Sequence, residues 1–201
     1  MIHAAKAAGL AFIVNVVLSA HGQVIASFAG DCESAHETGS MFVLDKMSCP
    51  AQRSDIVITT NNGYPMDQNL YQMVKGMCTA EACCNDGGVI IAVGKCGDGI
   101  GGESFQKMFG HGRSPAEILQ DFRTVPPQDT QIDQWQAHIL ARIMERCRVV
   151  LVSGLEDDMV RDFGMIPAKD MAQALAATDT LLGHNRGMIT VIPEGISVIV
   201  R

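Results

Sequence analysis

Positive charge is what this 201-residue chain lacks for holding nucleic acid. Its 15 Lys and Arg are outnumbered by 22 Asp and Glu, a formal net charge of −7, which leaves no cationic footprint for a phosphate backbone. Long apolar runs are missing too. The longest, LAFIVNVVL at 10–18, is too short to cross a bilayer and carries Asn15. No cationic stretch or small-residue cleavage site frames it, so no signal peptide is expected and the cytoplasm is the expected compartment. Neither nucleic acid nor a membrane is an expected partner. The seven cysteines contain no C-x-x-C pair, and Cys83 and Cys84 are adjacent, a poor arrangement for joint ligation of one metal. Free buried thiols in a reducing compartment are the expectation. The six histidines (3, 21, 36, 111, 138 and 184) show no H-x-x-x-H or H-E-x-x-H spacing, so no metal site can be argued from them. G-x-S-x-G is absent, which removes the hydrolase elbow.

What is present is the composition of a packed core: 47% hydrophobic and 18% charged residues. Residues 2–9, IHAAKAAG, read as the last turns of a helix stopped by a glycine. Strands are expected over 12–18 and 24–28, then a short helix capped by Asp31 and ended by Gly39, then a strand in MFVLDKMSC. The polar linker PAQRS marks a boundary. Beyond it, apolar β-branched strands at 56–60, 89–93 and 149–152 alternate with amphipathic helices, and MITVIP and ISVIV close the chain. That alternation predicts an α/β fold: a parallel sheet covered on both faces, a three-layer αβα domain. The loops NNGYPMD, GKCGDGIGGE and SGLED all come after strands, so they are expected to share the ligand-binding edge of the sheet.

The stretch GYPMDQNLYQMVKG, residues 63–76, carries more polar detail than a turn needs. Gly63 frees the backbone, Pro65 fixes one dihedral and Asp67 is placed to cap the helix. Leu70, Val74, Met77 and Cys78 form an apolar stripe that should face the sheet. Gln72 and Lys75 sit three apart off that stripe, a lysine and an amide suited to a small anion such as a carboxylate. The bland alternative for Lys75 is a solvated surface lysine. Gly97-x-Gly99-x-x-Gly102 matches a dinucleotide fingerprint, but the next segments are helix and TVPPQD rather than a second strand ending in an acidic residue. A glycine loop facing a phosphate or carboxylate remains open, as does a turn with no ligand. Trp135, the single tryptophan, lines up with Ile132, Ile139 and Ile143, so burial against the core is expected. The acidic run 156–158 reads as a solvated helix start.

GYPMDQNLYQMVKG, with GGVIIAVGKCGDGIGGESF after it and FIVNVVLSAHGQVIASFAGDCESAHETG before it, resembles the C-terminal half of the nickel-dependent lactate racemase family. The resemblance extends over essentially the whole chain. It implies a 2-hydroxy-acid racemase or epimerase that uses a nickel pincer nucleotide between two domains. It also implies roles for this chain's residues: Lys75 as a catalytic group that binds the substrate carboxylate or stabilises developing charge, and Tyr71, Gln72 and Trp135 in substrate or cofactor binding. Gly63, Tyr64, Gly97 and Gly99 would be loop contacts. The nickel ligand, the cofactor-tethering lysine and the proton-shuttling histidines of that family lie upstream of the matched region. The expectation is therefore a C-terminal half, inactive alone and binding no cofactor alone, whose partner is an N-terminal racemase half and whose substrate is a small 2-hydroxy acid. Residues 1–50 would be the tail of the N-terminal domain and linker, 51–184 the α/β domain, and 185–201 strands returning to the N-terminal domain. Apolar strands left uncovered would associate with another chain, a second copy included. The alternative expectation is a non-catalytic accessory module that binds a small carboxylate or a nucleotide.

Overall fold

A computed structural model describes residues 2–19, 21–110, 112–183 and 187–201, which divide into two compact units, Met1–Cys49 and Pro50–Arg201. In the first, helix α1 (Ile2–Ala7) is followed by strands β1 (Ile13–Leu18) and β2 (Val24–Gly30), an antiparallel hairpin, then helix α2 (Cys32–Met47) and the short strand β3 (Ser48–Cys49). Asp31 caps α2 through bonds from the amides of Glu33 and Ser34, as its position predicts. Gly39 does not end the helix. It is buried with the Phe28 ring against it, where a Cβ would come within 3.1 Å, and α2 continues through MFVLDKM, which is helix and not strand. Close packing, not chain reversal, requires a glycine at this position.

The second unit is built on strands β4 (Ser54–Thr60), β5 (Cys84–Val93), β6 (Arg148–Val152), β7 (Ile166–Ala168) and β8 (Ile189–Ile192), all parallel, in the order β7-β6-β5-β4-β8. Helices α3 (Leu70–Cys83), α4 (Glu103–Phe109), α5 (Pro115–Thr124), α6 (Gln134–Arg146) and α7 (Asp157–Asp162) contribute to the core on one face, and α8 (Met171–Leu181) covers the other. The strands alternate accordingly. Val57, Ile90, Ala92, Val149 and Leu151 join the larger core, while Ile56, Val89, Ile91 and Val150 pack with Ala174 of α8. Handedness explains the layering: β4 to β7 step in one direction across the sheet, and the return from β7 to β8 runs the other way, so its right-handed crossover puts α8 on the opposite face. Residues 189–192 are thus the edge strand of this sheet, paired with β4, whereas the resemblance implies that 185–201 leave it. The expected break at 184/185 lies outside the described residues. β7, with Pro167 inside it, has no counterpart among the expected strands; strand β9 (Ile199–Val200) is the remnant of ISVIV.

Two junctions fix α3. At one end Asn61, fully buried after β4, inserts its side-chain amide beside the helix: Nδ2 donates to the carbonyls of Met66 (2.9 Å) and Gln72 (2.6 Å), and Oδ1 accepts from Gly76 N (3.1 Å). At the other, Glu81, with 7% of its side chain exposed, accepts from Arg142 Nε and Nη2 at 3.2 and 2.6 Å and from Arg146 Nη1 at 3.2 Å, which ties α3 to α6. Gly76 makes the first junction possible, because a Cβ there would strike Asn61 Oδ1 and lie 3.1 Å from the Thr60 carbonyl. Alanine is the better helix former by about 1 kcal/mol, yet Gly76→Ala should lower stability by about 1–3 kcal/mol through overpacking. Urea denaturation measures it, and an unchanged or higher midpoint would mean the junction has room to spare.

Candidate functional site

The three loops expected at one edge of the sheet do meet there. An open cleft of about 450 Å³ lies over the carboxyl ends of β4 to β7, lined by Gly63 and Asp67 of the first loop, Gly94 and Lys95 of the second, and Ser153 and Gly154 of the third, with Lys169 after β7. Backbone bonds knit them together: Gly94 N to Val152 O and Gly154 N to Lys95 O, each 3.1 Å. Asp67 belongs to this stitching and is not the helix cap. Its Oδ2 accepts from Lys95 N (2.9 Å) and its carbonyl from Cys96 N (2.9 Å). The cap is Asn69, whose Oδ1 accepts from Gln72 N at 3.0 Å. Residues 63–69 form turns instead of the first helical turn, with Gly63 at φ 76° accepting from the amides of Met66 and Asp67.

The glycine loop faces inward. The Gly99 and Ile100 carbonyls accept from Leu70 N (3.1 Å) and Tyr71 N (2.9 Å), so the first amides of α3 are already bonded and offer nothing to an anion. Gly97 is exposed, Gly99 holds φ 75° within the turn, and Tyr64 is 82% exposed on the opposite loop. Lys169 is engaged by Asp157, Nζ to Oδ1 2.8 Å, and that pairing holds the Asp157 carboxyl below the ordinary carboxylate range.

On α3 the predicted stripe is where it should be: Leu70, Val74 and Met77 are fully buried, and Cys78 is half-buried. Tyr71, Gln72 and Lys75 share the side off that stripe. Lys75 is exposed, while the Gln72 Oε1 atom is buried without a hydrogen-bond partner. An orphaned buried acceptor is uncommon in a native fold and marks a place where a donor is missing. Trp135 departs from expectation. It is 57% exposed and Ile132 is 77% exposed, because α6 begins at Gln134 and its first turn buries Gln136 and Ala137, which leaves Trp135 on the outer face. Its ring meets Tyr71 edge-on, centroids 6.2 Å apart at 88°, and Phe105 packs on Tyr71 from within, 5.4 Å at 80°. Tyr71 Oη donates to Asp133 Oδ1 at 3.0 Å, and Gln136 Nε2 donates to the Tyr71 carbonyl at 2.6 Å. The structure brings Trp135 onto Tyr71, leaves Gln72 and Lys75 on the same side of α3 as Tyr71, and puts Gly63 on the cleft. Sequence reasoning missed Asn61, Lys95, Asp133, Gln136 and Lys169. Only Asp133 carries a signal, an acid two residues before the single tryptophan, and that reads as an ordinary helix cap.

The lactate racemase C-terminal domain family matches residues 49–200. The chain belongs to the lactate racemase family. Lactate racemases of Thermoanaerobacterium thermosaccharolyticum and Lactiplantibacillus plantarum are each 45% identical to it over 202 aligned residues, covering 100% of this chain and 47% of theirs. The structure of the T. thermosaccharolyticum lactate racemase apoprotein superposes with a TM-score of 0.94, covering 100% of this chain and 48% of that one. A Thermotoga maritima protein at 12% identity and TM-score 0.58 shares the fold alone. The chain spans about half the length of the lactate racemases it matches. Among the described residues no helix is long and apolar enough to cross a membrane.

Burial, first, and the Asp133 carboxylate, second, push the Tyr71 phenol above its ordinary value of 10.0. The neutral form is the one the fold holds, so this contribution to stability is complete below pH 10 and is lost as pH rises through the folded value. With Tyr64 replaced by Phe, absorbance should show the remaining tyrosine ionising above pH 10, moving part of the way back in Asp133→Ala. Ionisation at or below the ordinary value would contradict the packing described.

Proposed function

We propose that this chain is the substrate-facing C-terminal half of a nickel-pincer-dependent racemase for lactate or a related small 2-hydroxy acid. The observation that carries the proposal is the pairing on one side of α3 of an exposed lysine with a glutamine whose buried oxygen has no partner, walled by a projecting tryptophan. The Lys75 ammonium would bind the substrate carboxylate as a point charge with three donors, and Gln72 beside it would orient the bound acid. Trp135 and Tyr71 would wall the pocket and keep water from the reacting carbon, which strengthens the charged contact.

The described residues hold no grouping of three or more His, Cys, Asp or Glu side chains able to bind a metal ion. His111 and His184 lie outside them. The described residues therefore do not fit the nickel centre that the resemblance implies, and the proposal assigns that centre, with the proton-transfer groups, to an N-terminal half. Relatives about twice as long are consistent with such a half. In the first unit Phe12, Val14, Val16, Val24 and Ile25 are 50–67% exposed, an apolar hairpin surface that would be covered on association with it.

Lys75→Ala, made in the chain assembled with its N-terminal half, should lower kcat/KM for the 2-hydroxy acid by about 100-fold, the scale of one or two charged hydrogen bonds. The fold should be intact, since an exposed lysine changes stability by no more than about 0.5 kcal/mol. Lys75→Arg should recover part of the loss. Undiminished turnover by Lys75→Ala would end the assignment, and tight binding of lactate by this chain alone would favour an accessory binding module.

A further inference from the structure

We propose that Asp133 is a positioning residue, which fixes Tyr71 and through it Trp135 in the arrangement that meets the substrate. The inference rests on the reading of Tyr71, Gln72, Lys75 and Trp135 as the substrate-facing group, and it adds a residue that the sequence motif does not contain.

The backbone gives the first reason. Asp133 stands at φ 65°, ψ 2°, one of three non-glycine residues with positive φ among those described. Side chains other than glycine enter that region at a cost, and such residues persist where the surrounding structure demands them. The second reason is a bond that is not made. Asp133 occupies the cap position of α6, where an aspartate ordinarily accepts from an amide of the first turn, yet its side chain makes no capping bond. The carboxylate is turned to another helix: Oδ1 accepts from the Tyr71 hydroxyl at 3.0 Å, and Oδ2 lies against Gly102, where a Cβ would come within 3.3 Å.

The neighbours supply the third reason, because they hold the same residue. Gln136, 1% exposed, donates through Nε2 to the Tyr71 carbonyl at 2.6 Å, and Trp135 packs edge-on against the Tyr71 ring at 6.2 Å. Residues 133–136 therefore hold Tyr71 at its hydroxyl, its ring and its carbonyl. A segment that only had to begin a helix needs none of these contacts. There is a chemical consequence. An ionised carboxylate can only accept, so the Tyr71 proton is committed to Asp133 and its oxygen is left with lone pairs alone. With Lys75, which only donates, on the same side of α3, the held phenol supplies an acceptor, and the two match the carboxylate and the hydroxyl of a 2-hydroxy acid.

Trp135 is the only tryptophan, so its fluorescence reads this contact directly. Asp133→Ala and Tyr71→Phe should each raise acrylamide quenching of Trp135 and shift its emission to the red. Asp133→Asn, which keeps an acceptor and tolerates the left-handed backbone, should stay near the parent. The quenching effect of Asp133→Ala should vanish in a Tyr71→Phe background, since both remove one bond. In the protein assembled with its N-terminal half, Asp133→Ala should raise KM for lactate by roughly three- to tenfold, with a smaller change in kcat. Parent-like quenching in folded Asp133→Ala, full additivity with Tyr71→Phe, or an Asn variant as perturbed as the Ala variant would each overturn the inference. If Asp133→Ala does not fold, Tyr71→Phe decides it, because that change leaves the backbone at 133 untouched. Undiminished turnover by Lys75→Ala would instead remove the proposed function and leave the quenching result standing, so the two failures are distinguishable.

Discussion

The buried amide of Asn61 is the constraint on which the rest of this fold hangs. It is the first residue past β4, it is fully buried, and it bonds to Met66, Gln72 and Gly76. From one side chain that amide takes up the Met66 carbonyl and clamps Gln72 O and Gly76 N, an i, i+4 pair of α3, and each of its own buried polar atoms would cost about 1–3 kcal/mol if left unpaired. It also sets the rotation of α3 about its own axis. A helix held at Gln72 O and Gly76 N cannot turn without breaking those bonds, so the side carrying Tyr71, Gln72 and Lys75 has one orientation relative to the sheet. The same strand end takes Gly195 N on the Thr60 carbonyl at 3.0 Å, and a Cβ at Gly195 would lie 2.7 Å from that oxygen. Two glycines from distant elements thus close on one strand end, and both act by lacking a side chain, not by being flexible.

Around that anchor the polar and apolar demands on α3 are separated by face. Leu70, Met73, Val74 and Met77 are wholly buried in the larger core, whose inner wall includes Phe105, Phe109 and Phe163. Fully burying side chains of this size is worth about 1.5–3 kcal/mol each relative to leaving them exposed, enough to hold the helix without help from its outer side. The outer side is then free to carry groups that a stability argument would not choose. Gln72 Oε1 without a partner, Trp135 more than half exposed and Asp133 in a left-handed conformation each cost free energy in the isolated fold. They occur on two segments that meet at Tyr71, the start of α3 and the start of α6, which is the pattern expected of a functional surface and not of scattered defects.

The sequence is legible wherever periodicity alone decides the outcome. Alternating β-branched strands and helical stripes are enough to give the parallel sheet, both of its covering layers and the buried residues of α3, because burial and spacing dictate one another. It misleads where a residue type has two uses. Gly39 reads as a stop and is a packing site under Phe28; Asp67 reads as a cap and binds the glycine loop, leaving Asn69 to cap. β7 escapes notice because three residues containing a proline carry no strand signal, and only the sheet around it makes it a strand. The candidate site is half legible. Gln72 and Lys75 stand out by spacing within one motif, whereas Asn61, Asp133 and Gln136 act across 11 to 65 residues of chain, a relation that no local pattern encodes.

Exposure at Trp135 and Lys75 also bears on how such a site could work. A lone lysine in water holds a carboxylate weakly, since two unit charges 4 Å apart gain only about 1 kcal/mol at the dielectric constant of bulk water and about 4 kcal/mol at an effective value of 20. The difference comes from removing water, and this chain by itself does not remove it: the tryptophan projects and the lysine is open. Strong carboxylate binding at Lys75 would therefore need a second surface laid over the Tyr71–Trp135 wall. Closure of such a surface would meet a tyrosine and a tryptophan already held against each other by Asp133 and Gln136. Rigid placement on this side would spare the ordering cost at closure, so that more of the contact energy could appear as binding.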